Sequence, residues 1–130
     1  MKSIVPEGMQ GTYDDSHFSP AVVDGDRVYL AGIIGTDAEG KVPVDPRTQF
    51  RCAFEGVKCV LEAAGSSLGE ILEMTTYHVD LHEHLSTFFA VKDEFLAEPY
   101  PAWTAIGVSA LARRRGLVEI RVVAALRDSR

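Results

Sequence analysis

At 130 residues the chain has the length of one domain, and 46% hydrophobic with 25% charged residues is the composition of a globular protein able to bury a core. A formal net charge of −6 repels phosphate backbones and excludes nucleic acid as a first expectation. No apolar run approaches the ~20 residues of a membrane span, and MKSIVPEGMQGTYDDSH at the N-terminus has no apolar leader segment, so no membrane association and a cytoplasmic protein are expected.

In chain order, AVVDGDRVYLAG (Ala21 to Gly32) reads as two strands turning at Asp24-Gly25-Asp26, an Asp-Gly hairpin signal. The turn formers of TDAEGKVPVDP then make a loop, with Gly40 the expected site of positive φ. From Pro46 the period becomes helical, with Phe50, Ala53, Phe54, Val57, Val60, Leu61 and Ala64 on one stripe and Gly65 as the stop. The back of this helix carries Cys52, Gly56, Cys59 and Ala63, small residues suited to close packing or partial exposure. Its two thiols stand about 10 Å apart along the axis, too far for an intrachain disulfide, and unpaired thiols suit a reducing compartment.

EILEMTTYHVDLH, Glu70 to His82, reads as a strand. Leu85, Phe88, Phe89, Phe95 and Leu96 then form the stripe of a second helix, with Pro99 beyond its end. Residues 101–110 and 117–126 alternate as two closing strands around Arg113, Arg114 and Arg115. The order strand, strand, helix, strand, helix, strand, strand predicts an α+β protein with two helices on one face of a mixed sheet.

Three features invite a chemical reading. On the expected strand, His78, Asp80 and His82 share a face with His84 nearby, a spacing open to zinc. No CxxC or HExxH accompanies them and a polar strand end accounts for them, so no metal is expected. The arginine block reads as a solvated turn, or as an anion or partner contact at a subunit edge. In LVEIRVV the alternation puts Val118, Ile120 and Val122 toward the helices and leaves Glu119 with Arg121 on the opposite face. A carboxylate inside a strand is seldom buried unpaired, so either Arg121 or another subunit neutralises Glu119, or it belongs to a site. Trp103 shares its face with Ala105, Gly107 and Ser109. Antiparallel pairing of residues 101–110 with 117–126 would project Trp103 and Glu119 from the same side.

FSPAVVDGDRVYLAG, VLEAAGSSLGEILEMTTYHVDL and LVEIRVVAAL resemble the RidA/YjgF/YER057c family (UK114-like, endoribonuclease L-PSP), whose best-known members are imine and enamine deaminases. The resemblance covers nearly the whole chain. It implies one domain over residues 1–130 with a chorismate-mutase-like fold and no cofactor. It further implies a homotrimer with inward-facing sheets and a small-molecule ligand in each of three clefts between subunits. In such a cleft an arginine grips a substrate carboxylate, and a glutamate with backbone groups places water for hydrolysis of C=N. By position Glu119 matches that glutamate and Gly32 the glycine after the second strand. Trp103 stands where the family has its arginine, Ala105 where it has a cysteine, Phe18 a tyrosine and Phe89 an asparagine. The expectation is an imine or enamine deaminase, a hydrolase of C=N bonds, with an apolar, aromatic cleft. The alternative is a non-catalytic trimer holding an aromatic or apolar metabolite, or a partner protein, in the same clefts.

Overall fold

Gly25 and Asp26 form a two-residue hairpin turn. Strands β2 (Ala21–Asp24) and β3 (Arg27–Leu30) pair antiparallel with Asp24 opposite Arg27, and Gly25 has φ +63°. A positive φ at the first central residue suits the right-handed twist of a two-residue hairpin. The computed structural model describes residues 1–127; the last three residues of the expected 1–130 domain lie outside the described part.

Before the hairpin come β1 (Lys2–Ile4), which pairs with β2, and a short helix α1 (Gln10–Asp14). After it come β4 (Ile33–Ile34), α2 (Pro46–Ala63), β5 (Ile71–His78), α3 (Leu81–Phe95), β6 (Ala102–Gly107) and β7 (Val118–Ala125). The strands form one mixed sheet in the order β1-β2-β3-β7-β5-β6, with β4 also paired to β7. The elements β1, α1 and β4 are too short for periodicity to reveal them, and all three escape the sequence reading.

Helix α2 forms where its stripe predicts it. Asp45 caps it, Oδ2 accepting from the Thr48 N–H at 2.9 Å, and Pro46 opens the first turn where its missing N–H costs nothing. Gly65, at φ +87°, ends it. Phe50, Ala53, Phe54, Val57, Val60 and Leu61 are buried against Val118, Ile120, Val122 and Ala124 of β7, as the two patterns require. Buried Gln49 fastens the loops at the head of α2. Its amide N–H group donates to the carbonyls of Pro43 and Arg115, and its Oε1 accepts from the Leu117 N–H. Cys52 and Cys59 are both free, one half-buried and one exposed.

Two expectations are corrected. The strand expected over Glu70 to His82 ends at His78, because Asp80 turns with φ +54° and α3 begins at Leu81. His82 and His84 are therefore helical, and the shared strand face for His78, Asp80 and His82 does not exist. The closing strands also do not pair with each other. β5, α3 and β6 form a parallel crossover unit, so β6 lies at the sheet edge beside β5, while β7 inserts antiparallel on the other side of β5. Alternation fixes which face a residue takes but not which strand lies next to it.

Candidate functional site

The pairing register sorts the expected site residues into two groups. Trp103 lies level with Met74, and Ala105 with Thr76, on the face that carries α2 and α3. Glu119 lies level with Tyr77 on one side and Ile34 on the other, on the face turned away from the helices. The two residues thus occupy opposite faces of one subunit, which corrects the shared side expected from antiparallel pairing.

The first group centres on Gly32. From Tyr29 to Ile33 the chain uses one residue more than the stretch from Val123 to Ile120 that it faces. The extra residue breaks the ladder between β3 and β4, as bulges do where a strand must be re-aimed. Glu119 fills the space beside the break, and a methyl group at Gly32 would overlap its Oε2. Only glycine admits the carboxylate there. Glu119 is half-buried, and among the described residues no hydrogen bond or ion pair involves its carboxylate. Arg121, the partner that alternation offered, is exposed and makes no ion pair with it. Phe18, half exposed, lies two residues before Pro20, whose carbonyl accepts from the N–H of Ala31 beside Gly32. Phe18, Gly32 and Glu119 thus belong to one end of the β3–β7 pair.

The second group is an aromatic wall. Trp103 sits 5.9 Å from Phe88 and 5.7 Å from Phe89 between ring centroids, and its Nε1–H donates to Thr76 Oγ1 at 2.9 Å. Thr76 Oγ1 also lies 2.7 Å from Nε2 of the fully buried His78. His78 Nδ1 has no partner among the described residues. Burial therefore pushes its pKa down to about 4. The unfolded chain binds the proton near 6.5, so stability is complete above that pH and falls as pH drops toward 4. Thermal unfolding at pH 7 and pH 5 checks this: the loss in His78→Gln is expected to be smaller than in the wild type by about 2 kcal/mol. Equal losses would show that His78 does not carry the step.

Sequence reasoning missed Lys92 in this wall. Its signal was its place on the α3 stripe, one turn after Phe88 and Phe89, where a reading keyed to apolar residues passes over a lysine. The arginine block is exposed, as a solvated turn requires, and with Lys41 and Asp37 it borders a recess of about 460 Å³ that contains none of the expected site residues. Asp80, Glu83 and His84 approach one another on the first turn of α3, in place of the strand cluster expected there. No helix among the described residues is long and apolar enough to cross a membrane.

Comparison with known proteins gives these arrangements a context. The profile of the family described as endoribonuclease L-PSP matches residues 13–126. The chain is 34% identical over 111 residues to the RutC family protein YjgH of Escherichia coli (strain K12), covering 85% of each. A solved structure of protein YJGH superposes with a TM-score of 0.86 at 33% identity, over 96% of this chain and 95% of that one. The chain is also 30% identical over 101 residues to the 2-iminobutanoate/2-iminopropanoate deaminase of Dermatophagoides farinae, covering 74% of this chain and 76% of that one. The structure of E. coli TdcF with bound serine matches with a TM-score of 0.81 at 28% identity, over 96% and 98%.

Proposed function

The chain belongs to the RidA/YjgF family, described as endoribonuclease L-PSP, and from that membership we propose that it hydrolyses C=N bonds of imines and enamines in clefts between the subunits of a homotrimer. The observation that carries the reading is the Glu119 carboxylate. It is half-buried, unpartnered among the described residues, and seated where only glycine leaves it room. Such a group accepts a proton from water as the water oxygen adds to the imine carbon. Returning that proton to nitrogen gives a carbinolamine. The carboxylate then passes the hydroxyl proton to the nitrogen as the C–N bond breaks, releasing ammonia and a carbonyl compound, a contribution of roughly 10²–10⁴-fold for a positioned general base. Relatives named as deaminases of 2-imino acids, and TdcF with serine bound, support a small molecule with a carboxylate as the substrate class.

The trimer supplies what one subunit lacks. Gly32 and Glu119 face one way and Trp103, Ala105 and Phe89 the other, so a single cleft uses both groups only where two subunits meet. The sheet face away from the helices exposes Tyr29 and Ile106 at 39% and 40%, surface suited to cover by other subunits. Trp103 offers no charge, and Phe18 and Phe89 add rings, so the cleft favours apolar or aromatic substrates.

The test generates 2-imino acids in place with an amino-acid oxidase. Adding the protein is expected to accelerate ammonia release, most strongly for imines with aromatic or large apolar side chains. A rate equal to that in buffer for every imine would contradict the proposal. Saturable binding without turnover would favour the second reading, a binding-only trimer, which rests on the uncharged Trp103.

A further inference from the structure

A pocket of about 320 Å³ opens between α3 and β6, lined by Met74, Phe89, Leu96, Tyr100, Pro101 and Trp103 with Lys92 and Asp93. Lys92 is only 8% exposed, the one buried ammonium or guanidinium group among the described residues. Lysine is rarely buried to that degree without a counter-charge. Its partner, Asp93 at 3.1 Å, has a side chain that is 55% exposed, so solvent weakens the pair. An ammonium has three donors and Asp93 takes one. The Lys92 Nζ lies 4.3 Å from the Phe89 ring centroid, 5.1 Å from Trp103 and 6.0 Å from Tyr100. These rings hold the cation at the pocket by its positive charge.

A fixed cation at the edge of an aromatic pocket complements an anion with an aromatic body. We propose that this pocket binds carboxylates carrying an aromatic side chain, with Lys92 gripping the carboxylate and the rings of Phe89, Tyr100 and Trp103 taking the aromatic group. The consequence for catalysis rests on the hydrolase reading: Lys92 selects aromatic 2-imino acids and sets KM, while Glu119 sets kcat. Trp103, Ala105 and Phe89 bring no charge to their wall, so the grip on a carboxylate falls to Lys92.

Trp103 is the only tryptophan, so its fluorescence reads the pocket directly. The probes are 3-phenylpropanoate and its neutral amide, 3-phenylpropanamide. The acid is expected to shift Trp103 emission saturably and to bind about tenfold more tightly than the amide. Lys92→Met is expected to erase that preference and Lys92→Arg to keep it. Equal affinity of the wild type for acid and amide, the absence of any saturable shift, or an intact preference in Lys92→Met would overturn the proposal. The wild-type comparison decides even where Lys92→Met fails to fold. Because binding is read without turnover, its failure is separate from failure of the hydrolase reading, which ammonia release alone measures.

Discussion

Glu119→Gln is expected to lower kcat for ammonia release by about 10²–10³-fold, with KM and the melting temperature near those of the wild type. The amide keeps the shape that fits beside Gly32, so packing against the break in the β3–β4 edge survives. No ion pair or hydrogen bond of the carboxylate is lost among the described residues, so folding has little to lose. The amide cannot take a proton from water at neutral pH, so the substitution removes the base and its charge while keeping the shape. A residue with a purely structural role would give the reverse pattern, a lower melting temperature and an unchanged kcat. Retention of most of the wild-type kcat by a folded Glu119→Gln would remove Glu119 from the chemistry.

Phe88→Ala should destabilise the fold by about 3–5 kcal/mol, enough to unfold a marginal domain. Phe88 has no exposed surface, and its ring touches four others. The centroids lie 5.5 Å from Phe50, 5.6 Å from Phe54, 4.8 Å from His78 and 5.9 Å from Trp103. Removing it opens a cavity between α2, α3 and the sheet that rigid neighbours cannot close. The next residue gives the control. Phe89 is 48% exposed, and Phe89→Ala should cost about 1 kcal/mol. Urea denaturation separates the two: the midpoint of Phe88→Ala should move much further, with m little changed in Phe89→Ala. Equal shifts would mean that the α3 stripe does not face the core as described.

How much of this was legible follows from what each signal encodes. The stripe of α2 and the alternation of β7 were legible because burial is written into them residue by residue: Phe50, Ala53, Phe54, Val57, Val60 and Leu61, and Val118, Ile120 and Val122, are buried as their periods demand. The neighbour of β6 was not legible. Its alternation is the same beside β5 or β7, and the α3 crossover that makes β5 and β6 parallel neighbours depends on where α3 starts. The strand reading that ran through to His82 concealed that start, since Asp80 gives no sign in sequence of its left-handed backbone. Glu119 stood out as a carboxylate in an apolar strand, but its contact with Gly32 joins distant parts of the chain, and only the family resemblance pointed to both. Lys92 lay in plain view on the α3 stripe. A stripe reads as core, and a long amphipathic side chain within it reads as an interruption, although such a chain can bury its stem among rings and keep a polar tip.

The central claim is that Glu119 of one subunit and the Trp103 wall of a neighbour make one site. It is tested most directly by mixing two variants, each disabled on one wall: Glu119→Gln, and Ala105→Phe, which crowds the wall beside Thr76. Each should be inactive alone. Trimers assembled from equal amounts of both should regain about a quarter of the wild-type rate, because random cyclic assembly leaves that share of clefts with both walls intact. Mixed trimers, verified by mass, that remain as inactive as their parents would contradict a site shared between subunits.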